Sequence, residues 1–395
     1  MVAYSRLKYA FADLPEPERA ESKLRTLDGL KRLREGLKAQ IPGRSASTLL
    51  LGTWNIRNFD DNRFAHGPRL EDSFYYIAEV LSAFDVVAVQ EVCEDLTPFS
   101  RLMSVLGPEH DYIITDVTEG PSGNRERLGF IYNRNKVRFT GVAGEIVLPF
   151  EDQISDVTKA RQFARTPFAC TFQAGWFRFN FATVHIYYGE DRLTSEAYAR
   201  RVKEIDAVAK FIAKRAKSDA LQSHVLVGDF NIESEDAPTF DALKKHGFQV
   251  FKNKVGSNAD QTRFYDQISF IPKANEVMLA DVPDPHGVFN VFDHVFRDED
   301  YPLFRSALRR IAEGRKRQAE TELAQAKTDV KRQTAQKAID AETKLLGSEA
   351  LLEDYYRKDW RTFQISDHFP LFVTLKTDFT DTYLEGLRAK VLAPD

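Results

Sequence analysis

Apolar residues along the chain follow two kinds of pattern. Short runs of β-branched, aromatic and aliphatic residues, bounded by polar segments, predict strands. Such runs lie at 49–54, 85–90, 129–133, 178–185, 224–229, 267–271 and 369–375. Apolar residues recur at three- and four-residue steps over 69–83 and 191–215, which predicts amphipathic helices between the strands. Strands that alternate with helices indicate an α/β or α+β class of fold.

Two further segments carry a helical pattern with little strand pattern. In the first 48 residues, five leucines fall on one helical stripe: Leu24, Leu27, Leu30, Leu33 and Leu37. Residues 284–362 are helix-rich, and the stretch 316–346 contains neither Gly nor Pro. We therefore expect one long helix of roughly 45 Å in that stretch. The strand pattern resumes at Gln364.

These changes of pattern predict how the chain is divided. We expect a helical extension over 1–48, a catalytic domain over 49–283 plus 363–377, a helical insertion over 284–362 and a tail over 378–395. The insertion is a candidate surface for a homodimer or another protein partner. Its helical stripe is mostly alanine, which makes a weak seam by coiled-coil standards.

Composition and charge narrow the classes of function. The 395 residues are 43% hydrophobic and 29% charged, as in an ordinary globular protein. There are 55 basic and 59 acidic residues, so the net charge of −4 provides no general attraction to nucleic acid. We interpret a local basic run between Arg305 and Arg317 as the solvated face of a helix rather than as a nucleic-acid contact.

Several sequence features bear on the compartment. The two cysteines, Cys93 and Cys170, cannot form a disulfide framework. No stretch approaches 18 apolar residues, and the N-terminal segment has charges throughout with no apolar run. We therefore expect a cytoplasmic protein with no membrane partner.

Polar side chains stand at the ends of the predicted strands. Four strands end in a group that could bind a cation or carry a proton: Asn55, Glu91, His185 and Asp229, with Asn231 two residues further. Two later strands begin with such groups: Asp266, and the pair Asp367–His368. If the later strands run opposite to the earlier ones, all these ends meet at one edge. Each residue alone fits a turn, a helix cap or a core histidine, but six coincidences favour a site.

These residue types suit phosphate ester chemistry. Oxygen ligands without cysteine favour Mg²⁺ or Mn²⁺ over zinc. Neutral amides beside carboxylates can orient an anionic substrate without adding negative charge, and two imidazoles with carboxylate partners suit proton transfer at neutral pH. A metal at such a site neutralises charge on phosphoryl oxygens, while a carboxylate base activates water.

Eight segments occur together in an order that resembles the endonuclease/exonuclease/phosphatase superfamily, and within it the pancreatic-type deoxyribonucleases. They are TWNIRNF (53–59), VQEV (89–92), NRERLGFIYNRNKV (124–137), RTPF (165–168), TVH (183–185), GDFN (228–231), YDQI (265–268) and SDH (366–368). The resemblance covers 49–375 apart from the insertion. It implies a four-layered α/β/β/α sandwich of two mixed sheets, here with an inserted long-helix arm.

The resemblance also implies roles for the matching positions. Glu91 would be the main carboxylate ligand of the cation, with Asn55 beside it and Asp367 completing the network. The catalytic groups would be His185, Asp229, Asn231, Asp266, His368 and Glu126. Of these, Asp229 would position or deprotonate the attacking water, and Asn231 would hold the phosphate or the water.

The remaining implied roles concern proton transfer and the substrate. His368 would contact the scissile phosphate or transfer a proton, oriented by Asp266. His185 would be the second acid/base imidazole, with Glu126 as its carboxylate partner. Two arginines would bind substrate: Arg165 through the phosphate, and Arg57 through the nucleic-acid backbone, where an ordinary surface arginine is an equal alternative.

The chain departs from the deoxyribonucleases at two positions of their groove recognition. Asn124 stands where they carry a stacking tyrosine, and Cys93 where they carry an arginine. Recognition of the duplex minor groove is therefore not implied. The insertion and an acidic loop over 141–164 are candidate specificity elements.

Three hypotheses of function follow. The first is a nuclease that hydrolyses DNA or RNA with Mg²⁺ or Mn²⁺. The second is a phosphatase or phosphodiesterase on a small or lipid phosphate ester, such as an inositol phosphate or sphingomyelin. The third is a non-catalytic binding protein that retains the fold. We favour the first, with nucleic acid as the partner.

Overall fold

The computed structural model describes residues 2–60, 62–118, 123–149, 152, 154, 162–219, 221–273 and 277–392. The acidic loop that the sequence marks over 141–164 lies partly outside these residues, as does the end of the predicted tail. Among the residues described, no helix has both the length and the apolar character that crossing a bilayer requires.

Two mixed sheets of six strands each form the centre of the described molecule. The strands are β1 (Thr48–Phe59), β2 (Val86–Val92), β3 (His110–Ile114), β4 (Arg127–Asn133), β5 (Arg138–Glu145), β6 (Phe168–Ala174), β7 (Phe177–His185), β8 (Ser223–Asp229), β9 (Gln249–Val250), β10 (Asp266–Ile271), β11 (His286–Val288) and β12 (Leu371–Lys376). Sheet A has the order β11-β12-β1-β2-β4-β3, and sheet B has the order β5-β6-β7-β8-β10-β9.

Helices cover the outer faces of the sheets and form the arm. They are α1 (Glu18–Gln40), α2 (Glu71–Ala83), α3 (Thr97–Leu106), α4 (Glu196–Ser218), α5 (Pro238–Lys244), α6 (Tyr301–Gln325), α7 (Asp329–Leu346), α8 (Glu349–Tyr355), α9 (Arg361–Gln364) and α10 (Thr380–Leu392). Short 3₁₀ helices span Tyr4–Tyr9, Val291–Asp293 and Asp298–Asp300, and a π-helix over Tyr356–Trp360 joins α8 to α9.

Three apolar clusters separate the layers. The first joins α1, α2 and α3 to the outer face of sheet A, and the third joins α4 and α5 to the outer face of sheet B. The second lies between the sheets and is rich in phenylalanine; Phe130, Phe172 and Phe181 are fully buried there and contact one another. Burial of these faces is the main force that holds the layers together. The predicted four-layered sandwich is thereby confirmed.

The strand directions bring the predicted polar ends to one edge. β1 and β2 are parallel, as are β7 and β8, so these four strands end together. β12 runs antiparallel to β1 and β10 antiparallel to β8, so both begin where the others end. The register sets His185 opposite Asp229, and Asp229 opposite Asp266. The antiparallel arrangement on which the sequence argument depended is present.

The leucine stripe of the first helix is only partly the buried face. Leu24 and Leu27 are 61% and 43% exposed, whereas Leu30, Leu33 and Leu37 are buried. Small residues bring α1 close to its neighbours instead: a Cβ added at Gly29 would lie 2.2 Å from the Tyr76 hydroxyl oxygen. This contact rotates the helix away from the face that its leucines predict.

The single helix expected over 316–346 is wrong, because the chain turns back within it. α6 ends at Gln325 and α7 begins at Asp329, where the Thr328 hydroxyl accepts a hydrogen bond from the Lys331 amide. The two helices pack on each other as a hairpin. The arm is therefore a two-helix hairpin, in which α7 with its 18 residues spans about 27 Å at 1.5 Å per residue.

The block between 284 and 362 is not set apart from the rest of the described molecule. β11 is an edge strand of sheet A, and Phe296, Phe304 and Trp360 pack in the same cluster as α1. Four arginines of its basic run form ion pairs. Arg305 and Arg309 pair with Glu349, Arg310 with Glu18, and Arg315 with Glu342. The domain boundaries drawn from the sequence stay a prediction.

Candidate active site

The edge where the strands meet gathers side chains from both sheets. Asn55 and Glu91 come from β1 and β2 of sheet A, and His185 and Asp229 end β7 and β8 of sheet B. Asp266 begins β10, and His368 lies three residues before β12. All but Glu91 are buried, and the Glu91 side chain is 14% exposed. The site is therefore held by rigid strands from two sheets.

The first cluster joins Glu91, His185 and Asp229. Nε2 of His185 lies 3.8 Å from Oε1 of Glu91 and 3.5 Å from Oδ2 of Asp229. The Asn55 side-chain amide donates to both carboxylates, at 2.8 Å to Glu91 Oε1 and 3.0 Å to Asp229 Oδ2. Asn55 therefore bridges two negative groups that would otherwise repel each other.

The second cluster joins Asp229, Asp266 and His368. Nδ1 of His368 lies 2.7 Å from Oδ2 of Asp266, and its Nε2 lies 3.8 Å from Oδ2 of Asp229. The Ser257 hydroxyl donates to the same Asp266 oxygen at 2.7 Å. Asp266 thus fixes the orientation of the imidazole and directs its other nitrogen toward Asp229, which belongs to both clusters.

His185 has its own carboxylate behind it. Its Nδ1 lies 3.2 Å from Oε2 of Glu126, an ion-pair distance without the alignment of a hydrogen bond. Arg165 donates from Nε to the same Glu126 oxygen at 2.7 Å, and both residues are buried. His185 and Glu126 thus lie side by side, and the role of Glu126 as the catalytic partner of His185 stays a prediction. The phosphate role of Arg165 stays a prediction.

The electrostatics of these groups follow from burial and charged neighbours. Burial would raise the pKa of Glu126, but His185 and Arg165 lower it to about 2. Burial and the negative charge of Glu126 raise the pKa of Glu91. Burial would lower the pKa of His368, but the carboxylates of Asp266 and Asp229 hold that pKa well above its usual value. The protonated form of His368 is therefore favoured, while Glu91 lies where a further positive charge would stabilise it.

Unusual backbone conformations aim several of the side chains. Glu91 has φ 64° and Asn231 has φ 54°, in the left-handed region that residues with a Cβ rarely adopt. Gly228 has φ 127°, and a Cβ there would lie 2.1 Å from the carbonyl oxygen of Val184. The glycine of the GDFN segment is thus required for β8 to pack beside β7. Such strain concentrates at functional sites, where surrounding structure must hold it.

Asn231 is fixed by the strand ends on either side of it. Its backbone amide donates to Oδ1 of Asp229 at 2.9 Å, and its side-chain amide donates to the carbonyl oxygen of Ile186 at 2.8 Å. The segments that follow β7 and β8 are therefore tied together directly beside His185 and Asp229.

Asp367 and Arg57 lie beside the clusters and contact each other. Oδ2 of Asp367 is 3.6 Å from Nε of Arg57, and the Asp367 side chain is 45% exposed. Arg57 also donates to the hydroxyl oxygen of Thr362, in α9. Asp367 is not among the described groups that lie close enough together to share an ion. The structure thus does not bring it into the metal set with Asn55 and Glu91, and its ligand role and the backbone contact of Arg57 stay predictions.

The site can hold a hard cation. Each cluster offers one ligand atom per residue, and these atoms lie within 4.8 Å of one another. The donors near Glu91 are carboxylate oxygens, an imidazole and an amide, with no thiolate among them, which is the set that Mg²⁺ and Mn²⁺ accept. The raised pKa of Glu91 agrees with a site that is short of positive charge. The residues present therefore fit a divalent ion.

Several supporting residues escaped the sequence analysis. Gln90 donates from its buried side chain to Thr53 at 3.1 Å and to Thr183 at 2.9 Å, which links the two sheets beneath the site. The Ser366 hydroxyl donates to the Asn55 carbonyl oxygen at 2.6 Å and accepts from the His368 amide. Their signal in the sequence is a polar residue inside or beside an apolar strand run.

Helix α4 holds the loops that carry the catalytic groups. Arg201 is fully buried and donates to the carbonyl oxygens of Tyr188, Glu190 and Asn231. Glu204, one turn later, accepts from the backbone amides of Ala164 and Tyr187. The segments that follow His185 and Asp229 and the one that precedes Arg165 therefore share one support. The sequence shows only two polar residues on a helix, which a solvated face explains equally well.

The sequence is similar to a known protein family and to a mouse protein. The sequence model of the Endonuclease/Exonuclease/phosphatase family matches residues 52–368. Deoxyribonuclease-1-like 2 of Mus musculus is 25% identical over 223 residues, which are 55% of this chain and 72% of that protein.

Two solved structures illustrate the structural neighbours. The mannosyl-6-phosphatase Bt3783 of Bacteroides thetaiotaomicron is 20% identical, with a TM-score of 0.46 over 61% of this chain and 90% of that chain. Humanised TDP2 of D. rerio is 12% identical, with a TM-score of 0.46 over 84% of this chain and 100% of that chain.

Proposed function

The chain belongs to the endonuclease/exonuclease/phosphatase family, whose members are phosphoesterases, and we propose that it is a divalent-metal-dependent nuclease that hydrolyses DNA or RNA. The observation that carries the proposal is the shared position of Asp229. Both imidazoles direct Nε2 toward this one carboxylate, and each imidazole has a second carboxylate at Nδ1.

Glu91, Asp229 and Asn55 are the residues that would hold the cation, with His185 at the edge of the same cluster. A bound Mg²⁺ or Mn²⁺ supplies charge neutralisation for the phosphoryl oxygens and lowers the pKa of a bound water. The side-chain oxygen of Asn55 accepts a hydrogen bond from the Arg57 backbone amide at 3.0 Å, so a flip that exchanges the amide nitrogen and oxygen would give up that bond. That flip would present an oxygen to the ion.

Three side chains of the protein accept a proton, donate a proton or contact the phosphate. Asp229, between the two imidazoles, accepts a proton from the attacking water through Oδ2. His368 is held protonated by Asp266 and contacts a phosphoryl oxygen through Nε2. His185, oriented by Glu126, gives a proton to the leaving oxygen through Nε2. These roles require the three groups to face one phosphate, and the distances between them permit it.

The similarity to a deoxyribonuclease supports nucleic acid as the substrate rather than a small phosphate ester. A phosphodiester flanked by two nucleosides also suits a site whose positive groups beside the two clusters are imidazoles and the buried Arg165. A terminal phosphate carries one more negative charge, and such groups are commonly bound by clusters of arginine and lysine.

The test is a substrate panel with matched variants. Supercoiled plasmid, a single-stranded oligonucleotide, RNA, an inositol phosphate and a sphingomyelin vesicle are incubated with the protein in Mg²⁺, Mn²⁺ or EDTA. We expect cleavage of nucleic acid that EDTA abolishes and that His368→Ala lowers by roughly 10²- to 10⁴-fold. His286→Ala removes an imidazole from the edge strand β11, outside both clusters, and serves as the control.

The panel separates the alternatives. Hydrolysis of the inositol phosphate or the lipid alone would replace the nuclease with a phosphatase or phosphodiesterase. The absence of hydrolysis on every substrate would favour a binding protein. Equal activity of His368→Ala and His286→Ala would show that the second cluster is not catalytic.

A further inference from the structure

We propose that Tyr188 is a stacking platform for a nucleobase beside the scissile phosphate, so that the site takes single-stranded nucleic acid. The inference rests on the proposed nuclease function and adds the form of its substrate. It is carried by an aromatic row that leads outward from His368 through Tyr265 to Tyr188.

The row begins at the catalytic imidazole. The ring of Tyr265 stacks on His368 with centroids 5.6 Å apart and an angle of 30° between the planes. The ring of Tyr188 meets Tyr265 edge to face, at 6.3 Å and 85°. Tyr188 thus lies two ring contacts from the group that faces the phosphate.

Tyr188 is both exposed and rigidly held. Its side chain is 42% exposed, although the loop that carries it follows directly on β7. The buried guanidinium of Arg201 lies 4.6 Å from the ring centroid and donates to the Tyr188 carbonyl oxygen. The Tyr188 hydroxyl donates to Asp191 at 3.2 Å, and Arg263 lies 3.5 Å from the same carboxylate. An aromatic ring fixed in this way loses little entropy when a ligand stacks on it.

The chemistry of the platform favours a base that is free of its duplex neighbours. Every base presents a π-face, so stacking on tyrosine needs no particular sequence. A base inside a duplex already stacks on both sides, and placing it on Tyr188 would require it to leave the stack. A single-stranded substrate makes this exchange at the least cost.

The experiment compares two oligonucleotides that differ in one group. Both are single-stranded and carry one cleavable phosphodiester in an otherwise phosphorothioate backbone. One has a base beside that phosphate, and the other has a tetrahydrofuran residue, which keeps the sugar and lacks the base. The measured quantity is the ratio of kcat/KM for the base-bearing to the abasic substrate in Mg²⁺.

We expect Tyr188→Ala to lower this ratio by roughly 5- to 150-fold, the range found for stacking of one base on an aromatic side chain. Tyr188→Phe keeps the ring and should keep the ratio. Trp176→Ala removes an exposed aromatic side chain at the turn between β6 and β7, at the opposite end of sheet B from His185, and is the matched control. In EDTA, a 2-aminopurine at the same position should be quenched by the wild type more than by Tyr188→Ala.

Other results overturn the inference. An equal loss on both substrates would assign Tyr188 to the sugar or to the fold, because the abasic residue retains the sugar. An unchanged ratio in Tyr188→Ala would show that no base stacks there. If the wild type cleaves plasmid and not the single strand, the proposed nuclease function is supported and the proposed role of Tyr188 is wrong. If it cleaves no nucleic acid, both proposals are wrong.

Discussion

The strand-end site and the helical arm place charged residues in opposite surroundings. At the site, Asp229, Asp266 and His368 are buried, and each meets a partner on a different strand or loop. In the arm, ion pairs such as Arg305–Glu349 lie between side chains that are about half exposed. Buried charges interact in a low dielectric and depend on every partner, whereas exposed pairs are screened by water. The comparison teaches that a charge count says little until burial is known.

The largest expected effect comes from removing the carboxylate that both clusters share. Asp229→Asn keeps the shape of the side chain and removes its negative charge, so we expect kcat for nucleic-acid cleavage to fall by roughly 10²- to 10⁴-fold. Single-turnover cleavage of a labelled oligonucleotide measures the loss. Asp241→Asn in α5 is a control. A loss below tenfold would mean that Asp229 is not the base.

A second prediction concerns the support that α4 gives the site. Arg201→Met leaves carbonyl and carboxylate oxygens near Tyr188 and Asn231 without their buried donor. We expect the free energy of unfolding to fall by about 3–5 kcal/mol, as for other broken buried charge networks. Urea denaturation followed by circular dichroism measures it. A change below 1 kcal/mol would put Arg201 in the same class as the exposed pairs of the arm.

A third prediction uses the depressed pKa of Glu126. Its pKa falls from 4.5 to about 2 in the folded state, so its ionised form stabilises the fold above pH 4.5 and this contribution is lost as the pH falls toward 2. Between pH 5 and pH 3 the wild type should therefore lose about 2 kcal/mol more stability than Glu126→Gln. Urea melts at pH 5 and pH 3 compare the two proteins. Parallel loss in both would show that Glu126 is not held by His185 and Arg165.

The smallest expected effect lies in the arm. Glu18→Gln removes the exposed ion pair that joins α1 to Arg310 of α6. We expect the free energy of unfolding to change by less than about 1 kcal/mol and cleavage by less than about twofold. Denaturation and plasmid nicking measure both quantities. A large loss of cleavage with an intact fold would show that the arm contributes to the site. The contrast between buried charges at the site and exposed ion pairs in the arm would then not hold.

How far the sequence predicts each region follows from the same physics. Where an apolar run stops at a polar residue, the end of the strand can be predicted from the sequence. The positions of Glu91, His185 and Asp229 at one edge could therefore be predicted. β5 could not, because it is an edge strand whose residues are largely exposed, and it shows no apolar run. The position of Asp266 at the same edge followed once the direction of β10 was assumed, whereas its contact with His368 was implied by the family resemblance alone.

The turn in the arm could not be predicted, because the composition of this segment indicates a helix but not the residue at which the helix ends. The residues between α6 and α7 include neither Gly nor Pro, and the turn depends on a Thr328 cap. The packing of α1 through Gly29 depends on Tyr76, 47 positions away, which no local pattern shows. Glu126 and Arg165 entered through the family resemblance alone, since neither residue stands at an end that the strand pattern marks, and their contact with each other was not predicted.

The most direct test of whether residues from two sheets form one metal site is isothermal titration with Mn²⁺. The proteins to titrate are the wild type, Glu91→Gln, Asp229→Asn and Asp241→Asn. The account predicts that the wild type and Asp241→Asn bind the ion, and that both site variants lose the binding. Binding that survives in Glu91→Gln and Asp229→Asn, or a wild type that binds no ion, would contradict it.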